Sequence, residues 1–304
     1  MKATKNLAYA MMALAAIMWA TSGTFTQMAY DEEATAMQIT LFSFVFSAMI
    51  LLPAIAILDR GSLKIRREDF FPFLVFSMIT GTFFGIAWYT CVKLTGVATA
   101  VILLYAYPSI VTIASVFLLK EGMTKQKALA LPLTFIGCIL VAGAQDFEEG
   151  LTFDQVGIAL GLYTAAAGAV YYIWGKKFLN KYSANTVILY MTVLSIPGLV
   201  LMANPLELGE TSLTMNAWVL IFVIGLFPGT IGFVVSMVAL RRIEASKASI
   251  VASIEPVAAV AIAFLVLSET INALQGLGVA LVFVGVVLLR MTKEAQEPVP
   301  VLEK

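Results

Sequence analysis

The sequence predicts an all-α membrane protein of ten transmembrane helices, built as two inverted five-helix repeats with both termini in the cytoplasm. Three observations predict this fold class: an apolar composition, an internal repeat with a constant offset, and a one-sided distribution of basic residues. Each observation is independent of the others, and together they fix the number, pairing and direction of the helices.

The composition is that of a membrane protein. Of the 304 residues, 61% are hydrophobic and 12% are charged, whereas soluble proteins have roughly 45–50% and about 25%. A helix needs about 20 mainly apolar residues to cross a hydrocarbon core of roughly 30 Å. Ten runs qualify in order, approximately at residues 7–28, 36–58, 70–92, 97–119, 128–145, 154–175, 184–203, 215–239, 246–267 and 273–290. No segment between them is long enough for a soluble domain.

Two parts of the chain repeat at an offset of 148 residues. The matching pairs are Gly81 and Gly229, Thr82 and Thr230, Pro108 and Pro256, Glu121 and Glu269, and Gly137 and Gly285. A proline inside an apolar run, the glutamate that ends the run and a later glycine all keep register, which indicates an internal duplication. The predicted division is residues 1–147 for the first repeat, 148–292 for the second and 293–304 for a short cytoplasmic tail.

The basic residues orient the bundle, because Lys and Arg in short loops stay on the cytoplasmic side. With the N-terminus inside, 18 of the 19 basic residues fall in or beside cytoplasmic segments, and Lys93 is the exception. The outer loops carry acidic residues instead. A net charge of zero therefore hides a separation of sign across the bilayer, and it argues against nucleic acid as a partner. The expected location is the plasma membrane.

Five helices per repeat is an odd number, so the second repeat enters the membrane upside down relative to the first. Inverted repeats are typical of secondary transporters, whose substrate site forms near the bilayer midplane where the two halves meet. The architecture thus points to transport before any chemistry is considered.

Two segments carry a family resemblance. LYAYPSIVTIASVFLLKE in the first half and ASIEPVAAVAIAFLVLSE in the second resemble the paired signatures of the EamA family in the drug/metabolite transporter superfamily. The resemblance extends to IMWATSGTF in the first helix and to the glycine-rich runs ALPLTFIGCILVAG and GLGVALVFVGVVLL, which favour close helix contact. It implies ten helices, cytoplasmic termini, a central cavity and the movement of small metabolites.

The sequence gives no sign of catalysis or of a cofactor. Histidine is absent, and Cys91 and Cys138 lie in apolar spans, where they are expected to be small buried hydrophobes. No zinc or transition-metal spacing, Walker motif or Ser/His/Asp set is present. The apolar run after Lys2 and Lys5 continues to about Met28, which favours a first transmembrane helix over a cleaved signal peptide. We therefore expect no cofactor, no metal and no enzymatic activity.

Glu255 is the most informative single residue, because it is a carboxylate deep in the ninth span, directly before Pro256. Burial in a low dielectric disfavours its charged form. Three roles remain open: proton coupling, contact with a cationic group of a substrate, or a hydrogen bond to a backbone carbonyl that Pro256 leaves free. Its partner at the 148-residue offset is Tyr107, so the two halves present a carboxyl group and a phenol.

Polar residues surround the two prolines that are expected to kink the fourth and ninth helices. Pro108 and Pro256 are candidates for gating, since a proline in a helix interior removes a hydrogen bond and bends the helix. The predicted substrate-binding residues are Trp19, Tyr105, Tyr107, Ser109, Tyr163, Tyr190, Ser253 and Glu255. The alternative is that the serines bond their own backbone carbonyls, as is common in membrane helices.

Further aromatic residues, Tyr171 and Tyr172 among them, are candidates to line an apolar vestibule. Glu121 and Glu269 each stand just before a helix, and capping of that helix explains them without a direct role in transport.

The predicted function is secondary transport of small organic metabolites, amino acids or related amphipathic and aromatic compounds, by alternating access and in the export direction. The predicted partners are this substrate and the lipid bilayer, with proton coupling as an option; the oligomeric state is not predicted. The alternatives are a membrane receptor or scaffold that does not transport, and a lipid-carrier flippase on the same fold. The resemblance alone does not name the substrate.

Overall fold

A computed structural model describes residues 2–143, 154–203, 213–267 and 272–290, and these residues form helices without a strand among them. The first half contains six α-helices and a π-helical segment between the third and fourth. Their bounds are α1 (Lys2–Asp31), α2 (Ala36–Leu58), α3 (Phe70–Ser77), the π segment Met78–Thr82, α4 (Phe83–Leu104), α5 (Tyr107–Leu118) and α6 (Lys125–Gly143). Short 3₁₀ turns at Arg60–Leu63 and Arg67–Asp69 link α2 to α3.

The second half follows the same plan. Its helices are α7 (Gln155–Leu179), α8 (Ala184–Met202), α9 (Met215–Leu226), the π segment Phe227–Gly232, α10 (Phe233–Arg242), α11 (Ala245–Ala252), α12 (Ile254–Leu267) and α13 (Ala273–Arg290). Within the described ranges, nine helical stretches are long and apolar enough to cross a membrane, and Ala273–Leu289 is a shorter apolar helix. The predicted fold class, a helical membrane protein of two repeats, is confirmed.

The third and fourth predicted spans are joined without a non-helical loop. No proline interrupts residues 90–104, and helical structure runs from Phe83 to Leu104. This helix is not straight, because Cys91 Sγ and Leu103 Cβ lie 3.1 Å and 2.8 Å from the point where Gly161 would carry a Cβ. Twelve residues of straight helix would separate them by about 18 Å. The chain therefore turns back between Cys91 and Leu103, as two successive spans require.

The repeated Gly-Thr pairs lie in the two π segments, and each segment is held by a serine from the other half. A π segment leaves a backbone carbonyl without its usual helical partner. The Ser195 hydroxyl donates to the Ser77 carbonyl at 2.9 Å. In the same way, the Ser47 hydroxyl donates to the Gly225 carbonyl at 2.8 Å. These two bonds are related by the same 148-residue offset, so the duplication extends to tertiary hydrogen bonds.

The first helix of each repeat packs against the other repeat. Helix α1 contacts α9, α10, α11 and α12, whereas α7 contacts α3, α4 and α5. This exchange interlocks the halves and brings the ends of α5 and α11, which also contact each other, to the centre of the interface.

The last helices of the two repeats, α6 and α13, cross closely through glycines. A Cβ on Gly278 would lie 2.7 Å from the Gly137 carbonyl oxygen, and a Cβ on Gly285 would lie 3.0 Å from the Ala130 carbonyl oxygen. Gly278 meets Gly137 and Gly285 meets Ala130, so contact positions that rise along α13 fall along α6. The two helices are therefore antiparallel. Antiparallel fifth helices are the arrangement that inverted repeats require. The expected close packing through these glycine-rich runs is confirmed.

Three predicted features lie outside the described residues: the outer loop around Glu148, the residue Glu269, and the tail from 293 to 304. Cys91 and Cys138 are both buried, as expected.

Candidate functional site between the two repeats

The fourth membrane span of each repeat is interrupted, and the two interruptions are related by the repeat offset. In the first half, α4 ends at Leu104 and α5 begins at Tyr107, with Tyr105 in the break. In the second half, α11 ends at Ala252 and α12 begins at Ile254, with Ser253 in the break. Tyr105 and Ser253 are 148 residues apart, so the sequence repeat marks the same discontinuity twice.

The two prolines lie three residues after the interruptions, in the first turn of the helix that follows. Pro108 is the second residue of α5, and Pro256 is the third residue of α12. A proline in the first turn sacrifices no helical hydrogen bond, because the first backbone N–H groups of a helix have no partner within that helix. Each interruption is one or two residues long, and Ala106 and Ser253 there keep right-handed helical backbone angles. The expected bend is thus a short interruption of the span, and the proline lies just after it.

Tyr105 lies at the interruption in the first repeat, Glu255 lies just after the interruption in the second, and the two residues meet. The Tyr105 hydroxyl is within hydrogen-bonding reach of the Glu255 carboxyl group, which lies in the first turn of α12. Tyr107, Tyr172 and Cys138 face this carboxyl group closely enough to interact with its charge. Tyr105 and Tyr107 are buried and Glu255 is half-buried. Glu255 and Tyr107, partners by the repeat offset, thus meet in one site.

Six aromatic rings form a continuous chain that begins beside this carboxyl group, and we call this chain the central aromatic cluster. Ring centroids lie 5.8 Å apart for Tyr105 and Tyr107, and 5.5 Å apart for the stacked pair Tyr107 and Tyr172. The chain continues from Tyr172 to Tyr171 at 5.3 Å and from Tyr171 to Trp19 at 6.3 Å. Its last member is Phe233, 5.2 Å from Trp19. Both repeats contribute rings, so the cluster spans their interface.

Two polar atoms of the cluster are buried without a hydrogen-bond partner among the described residues: Trp19 Nε1 and the Tyr172 hydroxyl oxygen. An unpaired buried donor or acceptor carries a penalty of about 1–3 kcal/mol. The other phenols are occupied, since Tyr171 shares a 2.6 Å bond with the Ser236 hydroxyl and Tyr107 donates to the Ser249 carbonyl at 3.5 Å. The cluster therefore retains unused hydrogen-bonding capacity at two points.

The structure brings together Trp19, Tyr105, Tyr107, Ser253 and Glu255 from the predicted set. Ser253 is buried, and its carbonyl accepts from Cys138 Sγ at 3.8 Å. Ser109 lies one residue beyond Pro108 and is half-buried.

Tyr163 and Tyr190 are not part of the cluster. The Tyr163 hydroxyl donates to the Ile79 carbonyl in the first π segment at 3.1 Å. The Tyr190 hydroxyl donates to the Leu63 carbonyl at 3.0 Å, and its ring packs against Phe73 at 5.4 Å. Tyr163 thus braces a helix discontinuity, and Tyr190 fastens the link between α2 and α3.

The sequence interpretation left three cluster members out of the predicted set: Tyr171, Tyr172 and Phe233. The sequence did contain an indication for the two tyrosines. They are adjacent in α7, so their side chains leave the helix in different directions and at least one must face the interior. Phe233 had no distinguishing signal among the 20 phenylalanines of the chain.

Glu121 joins the two repeats at the end of the bundle where the α5–α6 and α10–α11 connections meet. Its carboxylate accepts from the backbone N–H groups of Ala245 and Ser246 at 2.6 Å and 3.2 Å, and from the Ser246 hydroxyl. Capping was the expected role, but the capped helix is α11 of the other repeat and not the helix that follows Glu121. The expectation was thus incomplete, because the helix that donates its N–H groups to Glu121 is more than 120 residues away in the sequence.

Two lysines complete this contact, which we call the inter-repeat latch: Glu121, Lys127, Glu244, Lys247 and the start of α11. Lys127 Nζ lies 3.6 Å from Glu121 and 2.5 Å from Glu244, and Lys247 Nζ lies 3.3 Å from Glu244. Burial raises the pKa of Glu244, but the hydrogen bond and charge of Lys127 outweigh burial and hold that pKa below its ordinary value. Glu244 is consequently ionised at neutral pH, where Lys127 and Lys247 lie beside it.

These features define a class of protein: a helical membrane protein whose two repeats enclose a polar, aromatic site at broken helices, as secondary transporters do. The profile of the EamA-like transporter family matches residues 6–143 and 155–291, one match for each repeat. The chain belongs to the EamA-like transporter family.

Characterised and uncharacterised relatives agree with this membership. An uncharacterised inner membrane transporter, YicL of Salmonella typhimurium, is 23% identical over 91% of this chain and 93% of its own length. The uncharacterised transporter YyaM of Bacillus subtilis is 24% identical over 80% of each chain. An S-adenosylmethionine uptake transporter of Rickettsia bellii is 25% identical over 52% of each chain. A solved crystal structure superposes with a TM-score of 0.80 at 16% identity, covering 93% of this chain and 96% of the other, which shows the shared fold.

Proposed function

We propose that this protein is a secondary transporter that moves small organic metabolites across the plasma membrane by alternating access, with the central aromatic cluster and Glu255 as its substrate site. The observation that carries the proposal is the meeting of Tyr105 and Glu255 where the two repeats break their fourth helices. A site shared by two rocking halves changes its exposure when the halves move.

The inter-repeat latch supports the alternating part of this mechanism. It joins the two repeats at one end of the interface, and the charge bias predicts that this end is cytoplasmic. Release of the latch would open the site to the cytoplasm. The ten-helix count, the cytoplasmic termini and the boundaries 1–147, 148–292 and 293–304 belong to the same proposal.

The lining supports amphipathic or aromatic substrates, amino acids and their derivatives among them. Aromatic faces from both repeats offer apolar contact, and Trp19 Nε1 and the Tyr172 hydroxyl offer unused hydrogen bonds. Export is the proposed direction. Glu255 is the proposed proton carrier, since the titratable groups that face it are Tyr105, Tyr107, Tyr172 and Cys138 and none of them is basic.

Counterflow in proteoliposomes tests this function. Purified full-length protein is reconstituted, loaded with one unlabelled compound at a time and supplied with the same radiolabelled compound outside. The panel contains amino acids, amines, sugars, nucleobases and S-adenosylmethionine. We expect transient accumulation for at least one compound, abolished in Glu255→Leu and unaffected in the exposed control Glu68→Gln. Absence of accumulation across the panel, in protein that remains folded, would contradict the proposal.

A further inference from the structure

We propose that the site selects small organic monocations, that is, an amine, quaternary ammonium or sulfonium group on an apolar body. This inference rests on the proposed function and narrows its substrate class. The observation behind it is a half-buried carboxyl group beside three tyrosines, without a basic partner among the described residues.

The charge of Glu255 has no counter-ion in the described part of the chain. The ion pairs found there involve Arg66, Lys127, Lys181 and Lys247, which lie in or beside the connections between helices. The groups that face Glu255 are phenols and a thiol. An ionised carboxylate away from water needs a cation near it. A bound substrate cation fills this role when the site is loaded, and a proton fills it when the site is empty.

The rings provide the second half of a cation site. A cation over the face of Trp or Tyr, within about 6 Å of the ring centroid, gains roughly 0.5–1 kcal/mol when exposed and about 2 kcal/mol when desolvated. Tyr107 and Tyr172 are parallel within 5° at a centroid separation of 5.5 Å, and Tyr105 adjoins them. The same three tyrosines interact with the Glu255 carboxyl group, so a cation held beside it is attracted by the carboxylate and by the rings.

The remaining polar atoms favour a monocation over a zwitterion or an anion. Backbone carbonyl oxygens of Ser249 and Ser253 point to the cluster, where they accept from Tyr107 and Cys138. A substrate carboxylate beside Tyr105, Tyr107 and Tyr172 would lie close to the like charge of Glu255. Two like charges in a low dielectric repel strongly. The unpaired Tyr172 hydroxyl, and Trp19 Nε1–H farther along the cluster, suit a hydroxyl, carbonyl or ring nitrogen on the apolar body.

Matched ligands test the inference on the full-length protein in lipid nanodiscs. Choline and 3,3-dimethyl-1-butanol have the same shape and differ in the charged nitrogen. Phenethylamine, 2-phenylethanol and 3-phenylpropionate share an aromatic body and end in a cation, a neutral group and an anion. Thermal shift against concentration gives an apparent affinity for each compound, because a ligand that binds the folded state raises its apparent stability.

We expect each cation to bind at least tenfold more tightly than its neutral partner, and 3-phenylpropionate to bind most weakly. Glu255→Gln should remove the preference for cations, whereas Glu255→Asp, which retains the charge, should keep it, and Glu68→Gln should leave it unchanged. Equal or weaker binding of the cations, no binding by any of the five compounds, or an intact preference in Glu255→Gln would overturn the inference.

The same preparations distinguish failure of the inference from failure of the proposed function. Counterflow of a neutral or anionic compound, without a preference for cations, would leave transport standing and remove the substrate class. No counterflow of any compound would remove both.

Discussion

At the scale of single residues, the chemical role of Glu255 depends on the groups around it as well as on its depth in the span. It lies in the first turn of α12, where the helix N-terminus favours negative charge, and it faces phenols. Pro256 has no N–H for the Ala252 carbonyl four residues earlier, at the end of α11. Substrate contact, proton coupling and a hydrogen bond to a freed carbonyl all remain as roles for Glu255.

Glu255→Gln separates charge from packing, since it preserves size and hydrogen bonding but cannot ionise. We expect folded protein with a greatly reduced transport rate and no acid limb in its pH profile, and a larger loss of apparent Tm in Glu255→Leu, which leaves Tyr105 without its partner. Proteoliposome transport across a pH series measures the first effect, and thermal unfolding measures the second. Wild-type transport with an unchanged pH profile in Glu255→Gln would end the coupling hypothesis.

At the scale of helices, small residues set how closely α6 and α13 approach. Gly278→Ala would place a methyl group 2.7 Å from the Gly137 carbonyl oxygen, so the helices must separate. Overpacking of this kind destabilises by about 1–3 kcal/mol. We therefore expect a lower apparent Tm for Gly278→Ala.

Gly276 is the matched control, because it lies in the same helix and a Cβ there would meet nothing within 4 Å. Gly276→Ala should leave the apparent Tm unchanged or raise it slightly, since alanine favours helix by up to about 1 kcal/mol. Equal effects of the two substitutions would show that helix propensity, and not the close crossing, decides the stability of α13.

The inter-repeat latch joins helices of different repeats, so its removal should shift the balance between conformations. Hydrogen bonds to charged groups contribute about 1.5–3 kcal/mol, and every 1.4 kcal/mol changes a population about tenfold. In Glu121→Ala we expect at least tenfold faster labelling of a cysteine placed at Ser249, applied from the side of the latch. Glu32→Gln is the control, because Glu32 also bonds across the repeats, to Thr214 at 2.6 Å and Asn216 at 3.1 Å, but at an exposed position. Equal labelling in Glu121→Ala and wild type would contradict a gating role.

The latch also has a defined pH dependence. The pKa of Glu244 is lowered in the folded protein, so its contribution to stability is fully present above the ordinary carboxyl pKa and is lost as the pH falls through the folded value. Labelling in the wild-type protein should consequently stay slow at neutral pH and rise only in acid, below about pH 4.5.

Patterns among neighbouring residues in the sequence predicted the helices well, but they could not predict contacts between residues that are distant in the sequence. Proline and the repeat offset predicted bends at Pro108 and Pro256, and the helices are interrupted three residues earlier, at Tyr105 and Ser253. The partner of Glu121 could not be predicted, since Ala245 is distant in sequence and carries no side-chain signal for a cap. The bond of the Tyr190 hydroxyl to the Leu63 carbonyl could not be predicted either, since burial depth along a helix does not tell which neighbour a hydroxyl meets.

At the scale of the whole molecule, the duplication explains both the symmetry of the scaffold and the asymmetry of the site. Ser47 and Ser195 make equivalent bonds, and α1 and α7 exchange equivalent contacts. The site departs from this symmetry where Tyr107 of one repeat corresponds to Glu255 of the other. The symmetric hydrogen bonds and helix contacts therefore belong to the scaffold, and the difference between Tyr107 and Glu255 belongs to the substrate site.

The sidedness of the chain follows from the charge bias and is testable with single cysteines. A cysteine at Glu148 should react with an impermeant reagent from outside the cell, and a cysteine at Arg66 should react only after permeabilisation. Reaction of both from the same side would remove the proposed orientation.

Two-sided accessibility of Ser253 tests the central claim most directly, because Ser253 is buried at the break beside the central aromatic cluster. In a background with Cys91→Ser and Cys138→Ser, Ser253→Cys is labelled by an impermeant reagent from one face of oriented proteoliposomes at a time. Alternating access predicts slow labelling from each face, with Glu121→Ala accelerating it from the side of the latch and slowing it from the other. Labelling from one face only, unchanged by Glu121→Ala, would contradict a site that two rocking repeats expose in turn.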